Sequence, residues 1–171
     1  TTNKQTDFPK QGVFNHLLSL NSIFYLKNSK VDVDLGYVAN DRSEYEDSDN
    51  AVLHMKLKTF NYDVKYHLPK IGKVESILGI QGMHQTNAGE EYLIPDATTN
   101  DFGVFGTANY EWKTNVIQAG LRFDNRKITT IEHGVFGEEG YFKAIDKSFY
   151  SFNASLGYKT NVADNLTLRL N

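Results

Sequence analysis

The sequence predicts an all-β chain of about eight antiparallel strands in meander order, built as transmembrane β-barrel wall. Three observations carry this expectation. Apolar and polar residues alternate with period two along most of the chain, as they do on strands whose two faces meet different surroundings. The connections between these runs alternate short and long. Large aromatics sit on the apolar face beside the short connections, where they form an interfacial girdle: Tyr66, Tyr110, Trp112 and Tyr158.

Taken in chain order, the first run, 13–26, alternates poorly. Val31, Val33, Leu35 and Tyr37 then share one face against Asp32, Asp34 and Gly36. Over 53–67 the apolar phase inverts, from Leu53, Met55 and Leu57 to Phe60, Tyr62, Val64 and Tyr66. A bulge produces such an inversion, and so does a strand that leaves the membrane part-way along. The run 73–85 is again mixed. From Phe102 to Trp112 the pattern is clean: Phe102, Val104, Gly106, Ala108, Tyr110 and Trp112 oppose Gly103, Phe105, Thr107, Asn109 and Glu111. Ile117, Ala119, Leu121 and Phe123 follow against Gln118, Gly120, Arg122 and Asp124. Tyr150, Phe152, Ala154, Leu156 and Tyr158 oppose Ser151, Asn153, Ser155, Gly157 and Lys159, and Leu166, Leu168 and Leu170 close the series.

Short turns are expected near Asn28–Lys30, Leu68–Gly72, Lys113–Asn115 and Thr160–Asn165. Long polar loops are expected at Asp41–Val52, Thr86–Asp101 and Lys127–Ser148. Short turns on one rim and long loops on the other match periplasmic and extracellular ends of an outer-membrane barrel. The clean strands reach about 10 residues, enough to cross a bilayer at a tilt and longer than the usual soluble strand. All three prolines fall in connections or the leader, where a missing N–H costs no ladder bond.

Composition agrees. The net charge of -3 and a pI near 5.9 argue against a nucleic-acid partner. Cysteine is absent, which removes disulfides and thiolate metal sites. A mean hydropathy of -0.48 does not argue against a barrel, because alternation hides the membrane face from averaging. The chain begins Thr1-Thr2-Asn3, without initiator Met or signal peptide, and is expected to be one section of a longer protein.

Several segments together resemble TonB-dependent outer-membrane receptors. They are Gly36-Tyr37-Val38-Ala39-Asn40-Asp41-Arg42, Ile80-Gln81-Gly82-Met83, Leu93-Ile94-Pro95-Asp96, Gly103-Val104-Phe105-Gly106 and Ala119-Gly120-Leu121-Arg122-Phe123-Asp124. The resemblance covers nearly the whole chain and rests on the order and spacing of short motifs. It implies a place in the outer membrane of a Gram-negative bacterium, in a barrel of about 22 strands. It further implies a lumenal plug domain, a TonB complex that supplies energy, and a scarce small-molecule cargo such as a siderophore, vitamin, metal or sugar complex. Residues 1–171 are expected to be a single barrel segment, with plug, TonB-contacting segment and remaining strands outside it; Asn171 is not the aromatic end of a final barrel strand.

Within that frame, Glu91, Tyr92 and Asp96 are candidate ligand contacts, because they sit on a long loop with an aromatic and a proline. Arg122, Asp124 and Arg126 are expected to face the lumen, where they would hydrate or hold the plug. The five histidines show no metal-ligand spacing, and Glu44–Asn50 lacks the glycine and terminal Glu of an EF-hand loop. No catalytic constellation stands out, so no enzyme and no cofactor is expected. Other readings remain: a complete small eight-stranded barrel with an adhesion or structural role, a barrel enzyme, and a soluble β-sandwich.

Overall fold

The computed structural model describes residues 8–89, 95–138, 140–163 and 165–171. Within them run eight strands: β1 (Lys10–Leu26), β2 (Ser29–Tyr45), β3 (Leu53–His67), β4 (Val74–Gly89), β5 (Ala97–Trp112), β6 (Asn115–Thr130), β7 (Ile145–Ala163) and β8 (Leu166–Leu170). Each pairs antiparallel with the next, in sequence order, in one sheet. β1 and β8 do not meet; both are sheet edges, so the wall is open.

Alternate residues face opposite sides of a sheet, and the ladder fixes which residues share a side. One side is convex and apolar. A single row across it reads Ser22, Val33, Val64, Ile80, Val104, Phe123 and Phe152. The other side curls around a hollow of about 710 Å³ and carries the polar partners of the alternation. Among the described residues, Leu53 is the sole buried apolar side chain. A soluble sandwich of this length would bury a core between two layers; here there is one layer, and Leu121, Phe152 and Leu156 stand 58%, 68% and 71% exposed on the convex side. That is a surface made for lipid.

The strands are longer than the apolar alternation implied. β1 to β7 run 15–19 residues each. The expected loops Asp41–Val52, Thr86–Asp101 and Lys127–Ser148 therefore shrink to 46–52, 90–96 and 131–144. The reason is that ladder pairing continues past the point where side chains stop being apolar. Phe60 is the last apolar side chain on the convex side of β3, yet the β2–β3 register runs unbroken to Glu44 opposite Leu53. No bulge lies there, so the phase inversion in β3 marks a strand leaving the apolar band. Above Phe60 it turns Lys56 and Lys58 to the convex side and Leu53, Met55 and Leu57 to the concave one. β1 alternates poorly because Leu17, Ile23 and Tyr25 are apolar on its concave face as well.

All long connections lie at one end of the sheet and all short ones at the other, as the antiparallel meander requires. The turn between β5 and β6 is two residues, with Lys113 left-handed at φ 54°. The β3–β4 turn is pinned by paired backbone bonds between Ile71 and Val74, 3.1 and 3.0 Å. In it Lys70 donates to Glu75 at 2.7 Å, and that bond raises the lysine pKa. The connection after β6 is a small folded hairpin rather than a plain loop. His133 and Phe142 exchange backbone bonds of 2.9 and 2.8 Å, and Gly134 turns the chain at φ 80° where a Cβ would come within 2.9 Å of the Gly140 carbonyl. Phe136 packs edge-on against Tyr141, centroids 5.3 Å apart, and is otherwise exposed.

Candidate functional site

The concave face is where polar side chains converge, and the ladder brings residues from five strands into one chain of contacts. Asn21 on β1 donates to Asp34 on β2 at 2.6 Å. Lys65 on β3 lies 3.9 Å from Asp34 and 2.8 Å from Asp63. Gln81 on β4 donates to Asp63 at 3.5 Å and accepts from Arg122 on β6 at 2.9 Å. The Nε of Arg122 bonds both carboxylate oxygens of Asp124 at 2.8 Å. Beside this chain, Arg126 forks onto Asp101 on β5, with bonds of 2.7 and 2.6 Å.

Arg122 crosses a whole strand to reach Gln81, and Gly103 lets it do so. A Cβ at Gly103 would fall 2.5 Å from Asp124 Oδ1 and 2.7 Å from Arg122 Nη2. The guanidinium carbon also lies 5.7 Å from the ring centre of Phe105, itself laid over Gly79, where a Cβ would come within 2.2 Å of the ring. Small residues on the central strands thus create room for long side chains to lie flat along the wall.

Arg122, Asp124 and Arg126 therefore share the concave face and line the same hollow. Each charge has an opposite partner within the wall, Asp124 with Arg122 and Asp101 with Arg126, while Lys65 is shared between Asp34 and Asp63 and leaves one negative charge in excess. Most of these groups are partly solvated, so the pairs fix side-chain positions more than they stabilise the sheet. Such a surface presents oriented, mostly paired polar groups to whatever fills the hollow. Sequence reasoning missed Gln81, Asp63 and Gly103. The signal that could have found them is their shared concave parity with Arg122 once the register is known.

The loop candidates separate. Glu91 and Tyr92 lie outside the described residues. Asp96 sits just before β5 and accepts a 2.8 Å bond from the Gly89 backbone N–H at the end of β4. It ties the foot of the 90–96 connection and so is not brought together with the arginine row by any contact. No group of three His, Asp or Glu side chains suited to a metal ion occurs among the described residues.

Comparison with known proteins places this wall. No curated protein matches the sequence. The crystal structure of the ferric yersiniabactin uptake receptor FyuA from Yersinia pestis superposes with a TM-score of 0.63 over 94% of this chain, at 12% identity. The chain spans 28% of the length of that structure, so the likeness concerns the fold of one section. The sequence itself matches, over residues 2–171, the family described as TonB dependent receptor-like, beta-barrel. An open, lipid-faced meander with a charged concave side is what a section of that barrel should be, and the chain belongs to this TonB-dependent receptor β-barrel family.

Proposed function

We propose that this chain is a section of the wall of an outer-membrane receptor that imports a scarce small ligand with energy delivered by a TonB complex. The observation that carries the reading is the family match over residues 2–171 on a sheet that is one layer thick, apolar outside and polar inside. The cargo class is a siderophore, vitamin, metal or sugar complex. The plug domain and the TonB-contacting segment belong to other parts of the parent protein, whose barrel has about 22 strands. The long connections 46–52, 90–96 and 131–144 face the cell exterior, and the loop bearing Glu91, Tyr92 and Asp96 contacts cargo at the mouth. The row Arg122, Asp124 and Arg126 faces the plug. A complete eight-stranded barrel with an adhesion or structural role would hydrogen-bond β8 to β1, whereas both strands are edges here.

The test uses intact cells expressing the parent protein. Phe136→Cys should react with a membrane-impermeant maleimide and Lys113→Cys should not. Accumulation of at least one member of a panel of ferric chelates, cobalamin and oligosaccharides should rise with expression and vanish when TonB is removed. Labelling at 113 from outside, or accumulation indifferent to TonB, would overturn the reading.

A further inference from the structure

β1 departs from the rule that the concave side is polar. Its convex side is apolar like that of its neighbours, yet Val13, Leu17, Ile23 and Tyr25 place apolar side chains on the concave side as well. Leu17 and Tyr25 are 74% and 78% exposed there. No Asp, Glu, Lys or Arg occurs from Gln11 to Leu26. The concave amides are spent sideways on β2: Asn15 accepts a 2.6 Å bond from Asn40, and Asn21 donates one of 2.6 Å to Asp34. What β1 presents to the lumen is the apolar strip. At its upper end Val38 and Leu57 widen it across β2 and β3.

The lower concave side of β5–β7 is built the other way. Gly103, Thr107, Gly120, Ser151, Asn153 and Ser155 stand there, all short and mostly polar. Phe105, the large apolar side chain of this stretch, lies under the Arg122 guanidinium, 5.7 Å from its ring centre. Water satisfies such a surface as it stands, whereas an exposed apolar strip gains from being covered. From Val13 to Tyr25 is about 41 Å along the strand and about 31 Å in height at the usual tilt. A ligand that fits a pocket of about 1,000 Å³ is on the order of 10 Å across and covers a fraction of that length. A strand added beside β1 continues the wall and leaves its concave face bare. The cover is therefore a polypeptide that runs the depth of the lumen.

We infer that the plug of the parent protein is seated on β1 along this strip, and faces the lower halves of β5–β7 across water. The inference rests on the reading of the chain as receptor wall around a plug. It adds which side of this wall holds the plug and which side stays wet. The plug surface that meets Leu17, Ile23 and Tyr25 carries uncharged aliphatic or aromatic side chains, because a charge pressed on that strip would lose its water with no partner to replace it.

The test places single nitroxide labels in the full-length parent protein, reconstituted in lipid bilayers, through Leu17→Cys, Ile23→Cys, Ser151→Cys, Asn153→Cys and Leu156→Cys. Collisions are measured at each label with oxygen, which concentrates in lipid, and with a water-soluble nickel chelate. Labels at 17 and 23 should be immobilised and should rarely meet either. Labels at 151 and 153 should meet nickel several-fold more often than those at 17 and 23. The label at 156 should favour oxygen. With that preference in place, shielding of all four concave labels alike would overturn the seam, in favour of a plug in even contact. All four equally open to nickel would overturn the plug reading along with the seam. Oxygen-rich collisions at 17 or 23 would overturn it in favour of lipid on that side. A label at 156 without oxygen preference would overturn the membrane-wall reading itself.

Discussion

An arginine walked along β7 tests the two faces of the wall and the depth of each position together. Ala154 faces outward opposite Leu121, four residues from Tyr150 and four from Tyr158. At about 3.4 Å per residue and a tilt near 40°, it lies about 10 Å in height from each of these aromatics, close to the bilayer midplane. Ala154→Arg should therefore cost about 2–4 kcal/mol. Leu156 is two residues from Tyr158, only about 5 Å above the girdle, so Leu156→Arg should cost roughly half as much as its guanidinium reaches the interface. Tyr158→Arg should cost the least electrostatically, losing its ring contact with Trp112, 6.4 Å away, and the 2.6 Å bond its hydroxyl donates to Asn115. Asn153 and Ser155 lie on the concave side, and Asn153→Arg and Ser155→Arg should each cost under about 1 kcal/mol, because water or polar wall solvates them. The assay is reversible unfolding of the parent protein from lipid vesicles in denaturant. A cost that does not alternate between odd and even positions would refute the wall. A cost that grows from 154 to 158 would refute the depth assignment.

Two further outcomes follow from the geometry. Gly103→Val should displace Arg122 from Gln81 and cost about 1 kcal/mol; in that background Gln81→Ala should cost nothing more, and additive losses in a double-mutant cycle would show that the bridge contributes nothing. Lys113→Gly should raise unfolding stability by up to about 1 kcal/mol, since glycine takes the left-handed conformation without the penalty borne by a side chain; a loss of stability would mean that the lysine makes a contact worth more than its strain.

The strands were legible wherever one face met lipid and the other water, because only that difference writes a period of two into the sequence. β5, β6 and β7 show it across their lower halves. The signal inverts at Phe60, above which β3 turns lysines outward and Leu53, Met55 and Leu57 to the concave side, and backbone pairing continues with no outward apolar row to announce it. This is why Asp101, placed at the end of a loop by its polarity, is instead a strand residue holding Arg126. The arginine row itself was visible through alternation, but its partners were not. Gln81, and Asp63 through Gln81, join Arg122 by a register between strands, and register is a property of pairs that a single run of residues does not carry. The folded hairpin at 131–144 depends on glycines at positive φ, and its backbone bonds leave no apolar period to read.

The girdle aromatics also act as a level. Tyr66 on β3 and Tyr158 on β7 mark one membrane boundary, yet they are not in one ladder row: Tyr66 pairs with Leu78, while the row through Tyr158, Ile117 and Tyr110 meets β4 at Val74. Averaged from Tyr66 to Tyr158, with Tyr110 already in the row of Tyr158, the boundary slips four residues in four strands, about 13.6 Å along the strands for about 19 Å across them, a mean inclination of about 35° from the membrane normal, within the range of outer-membrane barrels. Eight strands so inclined sweep an arc of about 47 Å. Neighbouring strands that extend the arc must move their boundary along the ladder by about one residue per strand on average, a stagger that the strands adjoining β1 and β8 have to continue.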